Sequence, residues 1–231
     1  MNNLTARQFI TELNVYRPSS SPVDYHGSLE ADETDQFIGV RMGKIFAVAK
    51  SYTDMPLKEV EILLESPVHE YRVGAVSIMD FRARKKLTDD QRKALFDLYI
   101  RRHDRINSWD LVDRSAIHVL GGYLIDKPRD ILYRLARSPH PYERRSSVVT
   151  TIYFSKRGDT GDAFGIAEIL LDEKDELVRR AVGWALRTAG GKELLTFLDK
   201  HAPAMPRLML TVAIEKLTPS QRKHYRALRH E

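Results

Sequence analysis

The sequence predicts an all-α protein whose helices stack as antiparallel pairs into a curved α-solenoid, and three observations lead there. Apolar residues recur at helical spacing almost everywhere, breakers cut that pattern into pieces of helical length, and three segments repeat one another at a regular interval. At 231 residues the chain falls between one large domain and two small ones by the usual prior of roughly 100 to 200 residues each. One continuous body is the reading adopted.

The elements follow in order. Leu4, Phe9 and Leu13 mark a first amphipathic helix, closed by R-P-S-S-S-P-V-D-Y-H-G from Arg17 to Gly27. Arg17 to Asp35 is the one long polar segment and reads as a loop, so residues 1–35 form an N-terminal helix and loop on a body of residues 36–231. Breaks then fall at Met55-Pro56 and Ser66-Pro67, bounding a helix with Val60, Leu63 and Leu64 on one side. Leu87 to Asp90 opens the next helix, carrying Leu95, Leu98 and Tyr99. Further breaks come at Lys127-Pro128, Ser138 to Pro141 and Gly158 to Gly161; the last precedes the apolar stripe of Ile166, Ile169 and Leu170. Gly190-Gly191, Ala202 to Pro206 and Thr218-Pro219 complete about a dozen short helices. No run of strict alternation calls for a strand. Gly121-Gly122 reads as close packing at a helix end.

The repeat is visible in three places. S-P-V-H-E-Y-R-V-G-A-V-S-I-M-D-F (Ser66 to Phe81) and S-P-H-P-Y-E-R-R-S-S-V-V-T-T-I-Y-F (Ser138 to Phe154) share a Ser-Pro opening, then Arg72 or Arg145, then Val76 or Val149. E-L-V-R-R-A-V-G-W-A-L-R repeats the double arginine at Arg179-Arg180 and sets Trp184 where those valines stand. Arg72 and Arg145 are 73 positions apart (145 less 72), and Arg145 and Arg180 are 35 apart (180 less 145), which is two periods and one. Trp109 falls on the same beat. In a solenoid, equivalent positions line one face, so Arg72, Trp109, Arg145 and Arg180 or Trp184 are expected along one concave surface.

Charge gives that surface a purpose. Lys plus Arg outnumber Asp plus Glu by 37 to 32, for a net +5 and a pI near 9.3, a balance suited to an anionic partner such as nucleic acid. Cysteine is absent, which excludes disulfides, zinc ribbons, iron–sulfur clusters and thiol catalysis. The N-terminal residues carry neither a secretion signal nor a bilayer-spanning run, so a cytoplasmic protein without membrane contact is expected. The Asn3-Leu4-Thr5 sequon is then a coincidence of spacing. His69-Glu70 begins like a zinc-protease motif, but Val73 occupies the place of the second histidine. No Walker loop, dinucleotide fingerprint or ligand-spaced histidines occur, so no metal and no cofactor are expected.

N-S-W-D-L-V-D-R-S, Asn107 to Ser115, sets Trp109 and Asp113 on one helix face, with Ser108 placed as the cap. An aspartate among arginines has its charged form favoured. On a surface built for phosphates such a charge needs another use.

Set together, F-I-G-V-R-M (Phe37 to Met42), S-W-D-L-V-D-R-S (Ser108 to Ser115), Y-L-I-D-K-P-R-D (Tyr123 to Asp130), E-R-R-S-S-V-V (Glu143 to Val149), V-R-R-A-V-G-W-A-L-R (Val178 to Arg187) and M-P-R-L-M-L-T-V-A-I-E (Met205 to Glu215) resemble the DNA alkylation repair glycosylases built from HEAT-like repeats, the AlkD type. The resemblance covers roughly residues 35 to 230. It implies that Trp109 and Asp113 match the active-site pair, Arg145 the cleft arginine and Trp184 a second tryptophan. The implied reaction is base excision repair, hydrolysing the N-glycosidic bond of purines alkylated at N3 or N7 in double-stranded DNA. No counterpart of the family's N-terminal aromatic is evident near Glu30 and Ala31, with Tyr25 the candidate. Thr188 stands where an acidic residue is usual.

Phosphate contacts are assigned to Arg41, Lys44, Arg72, Arg144, Arg179, Arg180 and Arg187, with a basic tail Q-R-K-H-Y-R-A-L-R-H behind them. Arg144 and Arg145 stand about 100 degrees apart on a helix, and Arg145 is the one expected to face the groove. A monomer acting on DNA is expected. Two alternatives remain: a non-catalytic HEAT-like-repeat protein binding damaged or branched DNA, which would not need Trp109 and Asp113, and a protein-binding scaffold, which would place apolar patches on its concave face.

Overall fold

The computed structural model describes residues 4–19 and 35–228. Among them the fold is all-helical, thirteen α-helices and one short 3-10 turn, with no strand beyond an isolated parallel bridge between Gln36 and Val68. The chain forms two compact units, one ending at Tyr123 and the other beginning at Leu124. The division therefore falls inside a helix. No helix among the described residues is long and apolar enough to cross a membrane.

The first unit carries α1 (Ala6–Asn14), α2 (Met42–Ser51), α3 (Leu57–Glu65), α4 (His69–Ala83), α5 (Asp89–Arg101), the 3-10 turn His103–Arg105 and α6 (Trp109–Leu124). Thr5 with Gln8 and Thr88 with Gln91 form reciprocal capping boxes that start α1 and α5. The centre is α4, buried along nearly all its length against α2 and α3. Phe9 of α1 lies over Gly74 of α4, where a Cβ would come within 2.3 Å of the ring. Residues 35–40 cross the start of α4. Gln36 N–H donates to Pro67 O at 2.9 Å and His69 N–H to Gln36 O at 2.8 Å. The Glu70 carboxylate takes the Ile38 and Gly39 N–H groups at 3.1 and 2.7 Å, and Gly39, at φ 78°, supplies the left-handed backbone this reversal needs. Arg105 binds the end of α3, donating to Leu64 O at 3.2 Å and Ser66 O at 3.0 Å. Gly121 and Gly122 lie inside α6, and the Gly122 carbonyl accepts Arg92 Nη1 at 3.1 Å.

The second unit carries α7 (Asp130–Leu135), α8 (Pro141–Ser155), α9 (Gly161–Ile169), α10 (Glu176–Ala189), α11 (Gly191–His201), α12 (Arg207–Ala213) and α13 (Pro219–Ala227). Here α8 packs on α10 and α10 on α12, while α8 also touches α7 and α10 also touches α11. Each repeat thus contacts its neighbour, the pattern of stacked helix pairs in an α-solenoid. Gly183 sets how closely α10 and α12 approach, since a Cβ there would meet Met209 O at 2.6 Å and Val212 Cβ at 2.7 Å. Within α8 the buried hydroxyls of Thr150 and Thr151 donate to Ser146 O and Val148 O, each at 2.7 Å, so neither threonine is buried unpaired. Arg129 ties the loop before α7 to α9 through Asp159 and Asp162 at 2.7 and 2.5 Å, its guanidinium 3.7 Å from the Phe154 ring centre.

Candidate active site and nucleic-acid interface

The start of α6 is fixed from beneath. Ser108 is buried; its carbonyl accepts Val112 N–H at 3.2 Å, and its hydroxyl donates to Asp110 Oδ1 at 2.6 Å. Asp110 Oδ2 lies 2.9 Å from Nε2 of buried His69, the first residue of α4. On the other side of that ring, Arg72 Nη2 stands 3.4 Å from Nδ1. Burial works against the ionised form of Asp110. The hydrogen bond and charge of His69, the Ser108 hydroxyl and the Leu111 N–H outweigh it and hold the carboxyl below the usual aspartate range.

On this base stand Trp109 and Asp113, four residues apart and both half-buried, on the partly exposed stretch of α6. Leu111, Val112, Ser115 and Ala116 fill the opposite side. The shared face expected from the spacing is therefore present.

Arg72 is not a surface residue. Its side chain has no solvent exposure, and Nη2 pairs with buried Asp35 Oδ2 at 2.6 Å. The expected phosphate contact is corrected: this guanidinium balances a buried carboxylate and holds residue 35 against α4. Its position on the repeat is right for the inner helix, but the side chain points into the packing between elements. Arg41, at the position preceding α2, and Lys44 are exposed, with Lys44 Nζ 4.9 Å from the ring centre of Tyr16. Tyr25, Glu30 and Ala31 lie outside the described residues.

In the second unit Arg145 is only 5 % exposed, and its Nη1 donates to the Leu177 carbonyl in the first turn of α10. Trp184, two turns along α10, is half-buried, and its carbonyl accepts the Thr188 hydroxyl at 2.8 Å. Arg144 is corrected. It makes a two-pronged pair with Glu173 at 2.6 and 3.0 Å and donates to the carbonyls of Ser138 and Pro139 at 2.9 Å. Burial pushes the Glu173 carboxyl up, but Arg144 and two backbone N–H groups leave it below the usual range. A guanidinium so committed locks two loops together. Arg179 donates through Nε to Glu173 O at 2.6 Å, Arg187 pairs with Glu215, and Arg180 is exposed. A cleft of about 560 Å³ opens at the starts of α10 and α12, with Lys174, Glu176, Arg179, Arg207 and Thr211 in its lining.

Sequence reasoning missed the Ser108–Asp110–His69 chain. His69 and Asp110 are 41 positions apart, and only the packing of α4 beside α6 joins them. A second cluster, around Asp80, was also missed; its trace in the sequence is the i, i+4 spacing of Asp80 with Arg84 and of Arg114 with His118.

Residues 22–217 match the model of a family described as DNA alkylation repair enzyme. No curated protein matches the chain significantly. Among solved structures, a predicted DNA alkylation repair enzyme from Enterococcus faecalis is similar at a TM-score of 0.62 and 14 % identity, over 80 % of this chain and 90 % of that one. At that identity the likeness speaks for the fold.

Proposed function

The chain belongs to the DNA alkylation repair enzyme family, its role thus lying in DNA repair, and from that premise we propose that it is a DNA glycosylase. Its substrates are then purines made cationic by alkylation at N3 or N7 in double-stranded DNA, released by hydrolysis of the N-glycosidic bond. The observation that carries this reading is the Trp109–Asp113 pair, half-buried on one face of α6 above a buried hydrogen-bond chain that fixes the first turn.

The chemistry accounts for the residue types. A cationic purine departs as a neutral base, so no general acid has to protonate it, and the paired carboxylates of a glycosidase are not needed. Positive charge develops on the deoxyribose. A carboxylate and an indole face beside it stabilise that charge, and Asp113 can also orient or deprotonate the attacking water. Arg145 is assigned to the backbone phosphate beside the lesion, its guanidinium pre-set by the Leu177 carbonyl, and Trp184 to the sugar.

The test is release of free 7-methylguanine and 3-methyladenine from methylated DNA by wild type and Asp113→Asn. Loss of one preorganised electrostatic contact costs roughly 2.7 to 4 kcal/mol, a factor of about 10² to 10³ in rate. Wild type should release base and the variant should fall by that factor. DNA binding without base release by the wild type would replace this reading with that of a non-catalytic binder of damaged DNA.

A further inference from the structure

Asp80, on the second half of α4, has a side chain with no solvent exposure, and three others converge on it. Arg84 Nε lies 2.9 Å and Arg114 Nη1 3.1 Å from Oδ2, and His118 Nδ1 lies 2.9 Å from Oδ1. Both arginines are permanently charged, so one negative charge faces two positive ones before His118 is counted. Arg114 is held rigidly. Its guanidinium carbon sits 4.5 Å from the Phe46 ring centre and 4.4 Å from that of Phe81, and Nε donates to Ser77 Oγ at 3.0 Å. Its Nη2 is buried without an acceptor among the described residues. Lys50 adds another cation, 5.6 Å from the Phe81 ring centre.

Stability alone does not account for such a group. Arg114 shares this one buried carboxylate with Arg84 while itself largely removed from water, and desolvation pulls its pKa down although Asp80 opposes it. The exposure is graded: the Arg84 side chain is 47 % exposed, His118 28 % and Arg114 17 %, with Asp80 at zero behind them. The carboxylate is shielded while the donors reach solvent, so an arriving anion meets the cations first. Planar guanidinium groups suit the oxygens of a phosphate. Arg114 follows Asp113 directly, about 100° round α6, and His118 stands five residues beyond Asp113, about 140° round and about 7.5 Å along the axis, both partly exposed.

We propose that Arg84, Arg114 and His118 form a binding site for a backbone phosphate of duplex DNA, with Asp80 as the fixed counter-charge that organises them. This rests on the reading of the chain as a DNA-repair protein and adds a phosphate contact on the helix that carries Asp113. It does not depend on which bond is cleaved.

The experiment measures binding of an undamaged duplex oligonucleotide across a salt series for wild type, Arg84→Gln, His118→Gln and the double variant, each checked for folding by circular dichroism. Arg101→Gln, an exposed arginine of α5 paired with Glu61, is the control for net charge. Loss of one phosphate contact should reduce the slope of log affinity against log salt by about 0.9 in the double variant, with the control unchanged. A wild-type slope in the folded double variant, or an equal loss in the control, overturns the proposal. A second measurement needs no variant: inorganic phosphate is titrated into the wild type while the His118 ring resonances are followed. A saturating shift that chloride at equal ionic strength does not produce is expected, and identical responses to the two anions overturn the site. Because no damaged base is involved, failure here and failure of base release are told apart.

Discussion

Asp110 and Asp113 stand three residues apart on α6 in different surroundings. Asp110 is locked between Ser108 and His69, whereas Asp113 is half-buried on the face it shares with Trp109. The two should therefore fail differently. Asp110→Asn removes the charged partner of a buried imidazole, at a cost to stability of about 1 to 3 kcal/mol at pH 7. The folded-state pKa of Asp110 is depressed, so its stabilisation is present above the unfolded pKa and is lost as pH falls through the folded one. Thermal melts should show a gap between wild type and Asp110→Asn at pH 7 that narrows below roughly pH 4. A gap of equal size at pH 3 would mean that the charge on Asp110 is not what holds His69.

At the scale of elements, most of the fold was legible in the sequence because the breakers coincide with helix ends: Ser66-Pro67 precedes α4, Pro141 begins α8 and Gly190-Gly191 separates α10 from α11. The run S-S-V-V-T-T-I-Y-F is rich in β-formers, yet it is helical in α8. Neighbours α7, α9 and α10 surround it, and its hydroxyls close onto its own carbonyls. The candidate site was legible where it depends on spacing within one helix, as for Trp109 and Asp113. It was not legible where it depends on partners brought from elsewhere, so Arg72 and Arg144, chosen by repeat position and charge, turned out to serve Asp35 and Glu173. Spacing cannot reveal a carboxylate supplied by another element. Packing between α10 and α12 provides a test at this scale. Gly183→Ala places a methyl against Met209 O, an overpacking cost of about 1 to 3 kcal/mol, and should lower the melting temperature of the protein. An unchanged melting temperature would show that the two helices separate without penalty.

Across the whole molecule, a surplus of five positive charges does not act as one patch, since the cations divide into those spent inside and those left to solvent. Alanine at exposed Arg41, Lys44 or Arg180 should reduce the salt slope of DNA binding by about 0.9 per lost contact, while stability changes by no more than about 0.5 kcal/mol. Arg72→Met should act the other way, costing about 3 to 5 kcal/mol by stranding Asp35. Parallel binding and melting series separate the two classes, and a flattened slope with unchanged melting for Arg72→Met would contradict the division. The contact between Phe9 and Gly74 brings time into the picture. An isolated nine-residue helix is marginal in water, and the gap over Gly74 that takes the Phe9 ring does not exist until that part of α4 has been synthesised, 65 positions later (74 less 9). At translation rates of about 5 to 20 residues per second, that is a wait of roughly 3 to 13 s. Phe9 thus spends that interval without the notch it finally fills.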